Sequence, residues 1–127
     1  MIQWINNKYG TSLTEEDLRE IKNFTLLWNI YENTIFENNF TIDRLVQEIN
    51  NRNLQINQFN DVLIYFQHRY IENGATNERF NFLNFRPNDR ENLVRGVLTN
   101  QNNDDHDKIL AIGIIVYRFR NNLFHGL

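Results

Sequence analysis

Arginine, asparagine and histidine side chains cluster near the carboxyl end of the chain, between Tyr117 and His125. Histidine exchanges a proton near neutral pH, so it can act as a general acid or base. Arginine carries a permanent charge on a planar fork that grips phosphate or carboxylate in two places. An apolar segment comes directly before this cluster. The polar residues therefore mark a candidate site at the rim of a hydrophobic core.

Helical geometry separates the two arginines that could act with His125. At about 100° per residue, Arg118 lies roughly 20° from alignment with His125, and Asn121 and Asn122 fall on the same side. Arg120 lies roughly 140° away around the axis. It meets His125 only if the backbone leaves the α-helix near Asn121-Asn122, or if a second subunit completes the site. The spacing leaves both arginines open as partners.

The segment from Arg120 to His125 reads Arg-Asn-Asn-Leu-Phe-His. It resembles the R-x4-6-H motif of the HEPN superfamily, in its Arg-Asn-x-x-x-His form. The wider string from Tyr117 to Gly126 is similar to the ending of HEPN domains in Abi-like and related defence proteins. The resemblance implies an all-helical, homodimeric domain in which two motifs face each other across the subunit interface.

The same resemblance implies a metal-independent endoribonuclease of the toxin or antiviral-defence type, without a cofactor. Its substrate would be RNA, such as tRNA or mRNA, and an antitoxin or defence-complex protein is a further expected partner. RNA supplies its own nucleophile, the 2′-hydroxyl, and cleavage would leave a 2′,3′-cyclic phosphate and a 5′-hydroxyl.

The implied roles follow the chemistry of each residue type. His125 serves as general base or acid, Arg120 stabilises the negative charge of the transition state, and Asn121 positions the phosphate or the histidine. Arg118 and Asn122 are expected RNA contacts. One histidine does not easily serve as base and acid at once, so a second His125 from a partner chain is attractive.

Two alternatives belong to the class of binding proteins rather than enzymes. The first is a catalytically inactive HEPN-like module that binds RNA or a partner protein. The second is a small helical adaptor or inhibitor without a shared cleft. Arginine and histidine at a helix carboxyl end also stabilise the helix dipole without any catalytic role.

The remaining sequence predicts the elements that must position these residues. We expect one all-α domain over residues 1–127, a bundle of about four to six helices. Proline is nearly absent, and polar caps precede apolar residues at helical spacing. We expect helices over 14–38, after a Thr41 cap, after an Asn57 or Asn60 cap, over about 88–99 following Pro87, and over 105–121. The segment Thr76–Phe80 opens a short helix or, equally, Phe80, Phe82 and Phe85 form an extended aromatic turn.

The last of these helices, over 105–121, has almost no polar face. A helix that is apolar all round is buried on several sides, so we expect it at the centre of the bundle. Asp104 or Asp105 suits its amino-terminal cap. HEPN domains commonly continue into a further helix after the motif, whereas two residues follow His125 in this sequence. Either the domain is a short variant that lacks this helix, or the sequence is a truncated piece of a longer domain.

For three other groups of residues we favour a structural role over a role in binding or catalysis. The run Asp104-Asp105-His106-Asp107 favours helix capping over a metal site. Arg86, Arg90 and Arg95 would extend an RNA-binding surface, but they do not share one helical stripe. The aromatic group Phe80, Phe82 and Phe85 favours packing, in the core or at a dimer interface, over base stacking.

Composition excludes several classes of function. The chain has no cysteine, which removes thiol nucleophiles and cysteine-bound metals. Its net charge of −3 argues against a globally basic nucleic-acid coat. No apolar run reaches the roughly 18 residues of a membrane span, and no secretory signal is visible, so we expect a cytoplasmic protein. Asparagine is in excess, which we interpret first as a composition bias of the source.

Overall fold

The computed structural model describes residues 41–124 together with Gln3, Asn7 and Thr14. These residues are mostly helical with one small two-stranded sheet, which confirms the all-α prediction. The helix expected over 14–38 lies outside the described residues, apart from Thr14. The elements in chain order are α1 (Ile42–Asn51), a 3-10 turn (Ile56–Gln58), α2 (Asn60–Tyr70), β1 (Ile71–Glu72), β2 (Ala75–Thr76), α3 (Glu78–Asn81), α4 (Glu91–Leu98) and α5 (Asp105–Phe124).

Helix α1 begins where its cap predicts. The Thr41 hydroxyl accepts a hydrogen bond of 3.0 Å from the Arg44 amide, which satisfies one of the free donors of the first turn. Its apolar face is buried at Ile42, Leu45 and Ile49, with Val46 half-buried, and packs against α5. The helix ends at Asn51, in an asparagine-rich stretch of the chain.

Helix α2 starts at Asn60, but neither Asn57 nor Asn60 caps it, so that prediction is wrong. The chain enters α2 from the 3-10 turn, and Phe59 occupies the cap position without a side-chain bond. Its carbonyl already accepts from the Leu63 amide at 2.9 Å, which continues the helical pattern. The apolar face of α2 and its cap residue is buried, at Phe59, Val62, Leu63, Phe66 and Tyr70.

A short antiparallel hairpin follows α2, which the sequence analysis did not predict. Ile71 pairs with Thr76 and Glu72 with Ala75. Asn73 and Gly74 form the turn with φ of 54° and 79°. Asparagine and glycine are the residues that tolerate two consecutive positive φ angles, and such turns match the twist of the strands. The Asn73-Gly74 pair was therefore the overlooked signal.

The helix expected over about 88–99 is shorter than predicted, because α4 begins at Glu91. Pro87 does not open the helix. It lies in a turn closed by a 3.0 Å bond from the Asp89 amide to the Arg86 carbonyl. Proline suits the second position of such a turn as well as it suits a first helical turn. Arg90 then precedes α4 with φ of 55°.

Helix α5 is the centre of the bundle, as predicted. Asp104 caps it by accepting a 2.8 Å bond from the Asp107 amide. Its apolar body from Ile109 to Val116 is almost wholly buried, and the helix contacts α1, α2, α4 and the 3-10 turn. Gly113 lets α1 approach closely, because a Cβ there would lie 2.9 Å from Leu45 Cδ2. Neither α5 nor another helix of the described residues combines the length and apolarity needed to cross a bilayer.

Candidate functional site

The final turns of α5 carry most of the residues predicted for the site. The helix continues without a break through Asn121 and Asn122 to Phe124. A departure from the helix at the two asparagines, one of the two routes by which Arg120 could meet His125, is therefore absent from the described part of α5. His125 lies outside the described residues, so its pairing with Arg118 or Arg120 stays a prediction.

Arg118 is bonded inside the protein. Only 3% of this residue is exposed. Its Nε donates a 3.0 Å hydrogen bond to the Leu83 carbonyl. Its Nη1 lies 3.4 Å from Asp89 Oδ2, at ion-pair distance without a hydrogen bond. Its guanidinium carbon lies 5.6 Å from the centre of the Tyr117 ring. The arginine therefore holds the chain segment that comes before α4.

Asp89 is the buried acid that receives this arginine. The residue is 5% exposed, and its Oδ2 also accepts a 2.8 Å hydrogen bond from the Arg86 amide. One carboxylate oxygen thus serves both the core helix and the turn from Arg86 to Asp89. A buried carboxylate needs such partners, because taking an unpaired charge out of water is costly.

Asn122 makes a second attachment to the same segment. Its amide nitrogen donates a 2.8 Å hydrogen bond to the Phe82 carbonyl. Arg118 and Asn122 lie four positions apart, on one face of α5, and bind the carbonyls of two consecutive residues. We call these bonds from Arg118 and Asn122 to residues 82–89 the loop anchor. Sequence analysis missed it, because its main acceptors are backbone carbonyls, which no residue type reveals.

Arg120 and Asn121 have different surroundings. Asn121 is 7% exposed, and Arg120 is half-buried. On a helix, Arg120 lies about 160° around the axis from both Arg118 and Asn122. The structure thus brings Arg118 and Asn122 together on one face and places Arg120 on another.

Two cavities lie beside the turn held by the loop anchor and share Arg86, Pro87 and Arg90 in their linings. The larger has a volume of about 820 Å³ and is lined by Thr41, Ile42, Asp43, Arg86, Pro87, Asn88, Asp89, Arg90 and Tyr117. The smaller, of about 410 Å³, is lined by Phe85, Arg86, Pro87, Arg90, Glu91 and Asn92. We call the two together the arginine cleft, because Arg86 and Arg90 line both.

Arg86, Arg90 and Arg95 were considered as an extension of an RNA-binding surface. Two of them, Arg86 and Arg90, line the arginine cleft together. Arg86 and Arg90 lie in the turn before α4 and not on a helix from about 88, so the angular spacing of a helix does not separate them. Arg95 lines neither cavity. It lies 3.6 Å from the Glu91 carboxylate and 5.3 Å from the centre of the Phe80 ring.

The acidic run before α5 acts as a cap, as predicted. Ligand atoms of Asp104, His106 and Asp107 do lie within 4.8 Å of one another. However, Asp104 accepts from the Asp107 amide, and Asp107 accepts a 3.0 Å bond from the Asn102 side chain. These carboxylates already order the start of the helix, and His106 Nδ1 lies 4.0 Å from Asp107 Oδ1.

The three phenylalanines near α3 divide between core and surface. Phe80 is fully buried, and its ring centre lies 5.1 Å from that of the half-buried Phe85. Core packing is confirmed for these two. Phe82 is 63% exposed and is not a core residue, so its packing at a dimer interface stays a prediction.

Comparisons of the chain with protein-family models, with curated proteins and with solved structures find no match. The resemblance to HEPN domains therefore rests on the motif residues themselves. The geometry around them is the basis for the functional proposal.

Proposed function

We propose that this protein is a HEPN-type endoribonuclease that cuts RNA by attack of the 2′-hydroxyl and leaves a 2′,3′-cyclic phosphate. The proposal assigns the reaction to His125 as acid or base, with Arg120 and Asn121 as its partners. It includes a homodimer, so that two copies of His125 serve one site, and a setting in toxin or antiviral-defence systems.

One observation carries the proposal. Arg120 and Asn121 of the motif lie on the last turns of α5, whose apolar body is buried in the core. The motif therefore continues directly from a core helix. A catalytic group must be held within a fraction of an ångström of its working position, and rigid elements hold it better than loops. Helix α5 offers such a support immediately before His125.

The surroundings of Arg118 and Asn122 refine their part in the proposal. Both were expected to contact RNA, and that role stays a prediction. Their side chains donate to the Leu83 and Phe82 carbonyls, which favours a positioning role for them. They would act by holding residues 82–89 against the helix that carries the motif.

The test is cleavage of total RNA and tRNA by the purified protein in the presence of EDTA. We expect cleavage that survives the chelator, with 5′-hydroxyl and cyclic phosphate ends. His125→Ala and Arg120→Ala should each lower the rate at least a hundredfold, as expected for loss of an acid–base group or a charge stabiliser.

Matched controls come from the exposed His68 and the exposed Arg79. His68→Ala and Arg79→Ala remove the same side-chain types from α2 and α3 and should keep full activity. Intact RNA after incubation with the wild-type protein, as monomer and as dimer, would refute the enzyme. Equal activity of the motif variants and their controls would refute the assignment of the site.

A second candidate function is an inactive HEPN-like module that binds RNA or a partner protein. The internal bonds of Arg118 and Asn122 favour it, because they leave fewer groups of the motif helix for chemistry. This candidate predicts binding without cleavage, and the same RNA incubation separates the two.

A further inference from the structure

Each carboxylate that lines the arginine cleft is paired with an arginine, and one further arginine of the cleft has no such pair among the described residues. Three carboxylates line its two cavities, those of Asp43, Asp89 and Glu91. Each already has an arginine: Arg90 lies 3.0 Å from Asp43, Arg118 lies 3.4 Å from Asp89, and Arg95 lies 3.6 Å from Glu91.

Arg86 is the arginine of the cleft that is not used to pair one of these three carboxylates. Its guanidinium forms no ion pair with any carboxylate of the described residues, and the residue is exposed. An incoming anion at Arg86 therefore does not have to displace a carboxylate. Arginine is also the residue whose planar fork best fits phosphate oxygens.

The backbone that carries Arg86 is held in place before any ligand arrives. Its own amide is bonded to Asp89, and Asp89 is paired with Arg118 of the core helix. Pro87 restricts the next position of the turn to one range of φ. Binding to a preorganised turn costs less conformational entropy than binding to a mobile one.

Arg90 adds a second cation at a position that suits other residues better. Its φ of 55° is in the left-handed region, where glycine and asparagine are favoured over arginine. Its pair with Asp43 is an exposed one, in which 85% of the aspartate side chain is accessible. Exposed pairs are weak, so Arg90 can turn from Asp43 to a stronger anion.

The size of the cleft bears on which phosphate-containing ligand fits it. A volume of about 820 Å³ is within the range of small-molecule sites and accommodates a nucleotide. The second cavity, about 410 Å³, continues past the same two arginines. A ligand that lies across the turn can therefore place one unit on each side and a phosphate on Arg86. The half-buried Tyr117 also lines the larger cavity.

We propose that the arginine cleft binds the phosphate backbone of single-stranded RNA, with Arg86 and Arg90 as the phosphate contacts. This inference rests on the proposed function for its choice of RNA as the ligand. It adds the path of the strand, which runs over the turn from Arg86 to Asp89.

The experiment measures binding rather than cleavage. A fluorescein-labelled single-stranded RNA of about ten nucleotides is titrated with His125→Ala protein, and anisotropy is followed at several salt concentrations. Adding Arg86→Ala should weaken binding about tenfold, as for loss of one charge-assisted contact. It should also lower the slope of log K against log salt by about 0.7, the value for one phosphate of a single strand. Arg90→Gly should weaken binding in the same way while the melting temperature stays equal or rises.

Arg79→Ala is the matched control, because Arg79 is exposed on α3 and lines neither cavity. Equal affinity and equal salt slope for Arg86→Ala and Arg79→Ala would overturn the proposal. Displacement of the RNA by adenosine monophosphate, at the affinity of the strand itself, would also overturn it, because the cleft would then bind a single nucleotide.

The outcome for the cleft is separate from the outcome for the enzyme. Binding that depends on Arg86 without any cleavage by the wild-type protein would support the cleft and refute the nuclease. Cleavage with unchanged affinity of Arg86→Ala would support the nuclease and refute the cleft.

Discussion

Arg118 shows how little a side chain's type says about its use. In sequence it is a candidate phosphate contact, about two helical turns before the motif histidine. In the structure it is 3% exposed and faces Asp89, which is 5% exposed. A buried arginine and a buried aspartate at 3.4 Å form a pair in which each charge depends on the other.

Removing one member of this pair should therefore cost much stability. We expect Arg118→Ala to lower the free energy of unfolding by about 3–5 kcal/mol, because Asp89 is left buried without its cation. Urea denaturation followed by circular dichroism measures the change.

A double variant separates charge from packing. Arg118→Met combined with Asp89→Asn removes both charges and keeps most of the volume, so it should lose less stability than Arg118→Ala. A loss below about 1 kcal/mol for Arg118→Ala would mean that the pair behaves as an exposed one, and Arg118 would then be available to RNA.

For single residues, the sequence indicates the chemistry that each side chain can perform, but not the partner that it contacts in the fold. Asp89 is 29 positions from Arg118, and the other acceptor is the Leu83 carbonyl, 35 positions away. Such contacts depend on where the chain folds back. Local signals did better, since the capping roles of Thr41 and Asp104 were visible in their spacing alone.

At the scale of the elements, asparagine has a structural use that composition does not reveal. Within the described residues, the non-glycine positions with positive φ are Asn53, Asn73, Asn84, Asn100 and Arg90. Three of the asparagines follow the ends of α1, α3 and α4, where a left-handed residue commonly terminates a helix. Asparagine tolerates this conformation better than other residues with a side chain, in a chain with only five glycines.

Asn84 provides a test of this use, because it is exposed and its φ is 55°. Asn84→Gly should keep or slightly raise the melting temperature, since glycine adopts this φ without strain. Asn84→Ala should lower the free energy of unfolding by about 1 kcal/mol. Asn88→Ala, in the neighbouring turn but without a positive φ, is the control and should change little. Equal stability of all three variants would contradict the role.

Element boundaries could be predicted where one signal had one meaning, as at the Thr41 cap of α1. The segment before α3 fits a short helix or an extended turn by sequence, and in the structure the Asn77 side chain caps the helix by accepting a 3.1 Å bond from the Phe80 amide. Pro87 is compatible with either a turn or the start of a helix. The predicted helix start is wrong, because Pro87 lies in the turn from Arg86 to Asp89. Asn73-Gly74 had a clear meaning that was overlooked, and the hairpin was missed with it.

At the scale of the whole molecule, the position of α5 was predictable and the cleft was not. A segment without a polar face has to be surrounded, and α5 is. The arginine cleft arises between α1, the turn at Pro87 and α5, and no single segment of the sequence contains it. The motif and its support are thus local features, whereas the surroundings of the site depend on the fold.

The proposed dimer makes a quantitative prediction at this scale. If each site needs the His125 of both subunits, only dimers of two wild-type chains are active. The specific activity of wild-type protein, exchanged with His125→Ala protein, should then follow the square of the wild-type fraction. A ribonuclease assay on mixtures at constant total protein measures this dependence.

The control for subunit exchange is a mixture with Arg79→Ala protein, which should keep full activity at every ratio. A fall in simple proportion to the wild-type fraction would mean that each chain carries a complete site.

The loop anchor has a consequence for how local unfolding spreads. An irregular segment such as residues 82–89 would ordinarily open by itself, at little cost in free energy. Here it is attached to Arg118 and Asn122, on the last turns of the core helix. Fraying of that helix end and opening of the segment are therefore one cooperative event. Whatever clamps the end of α5, a second subunit or an inhibitor, also shifts the equilibrium of the turn that carries Arg86.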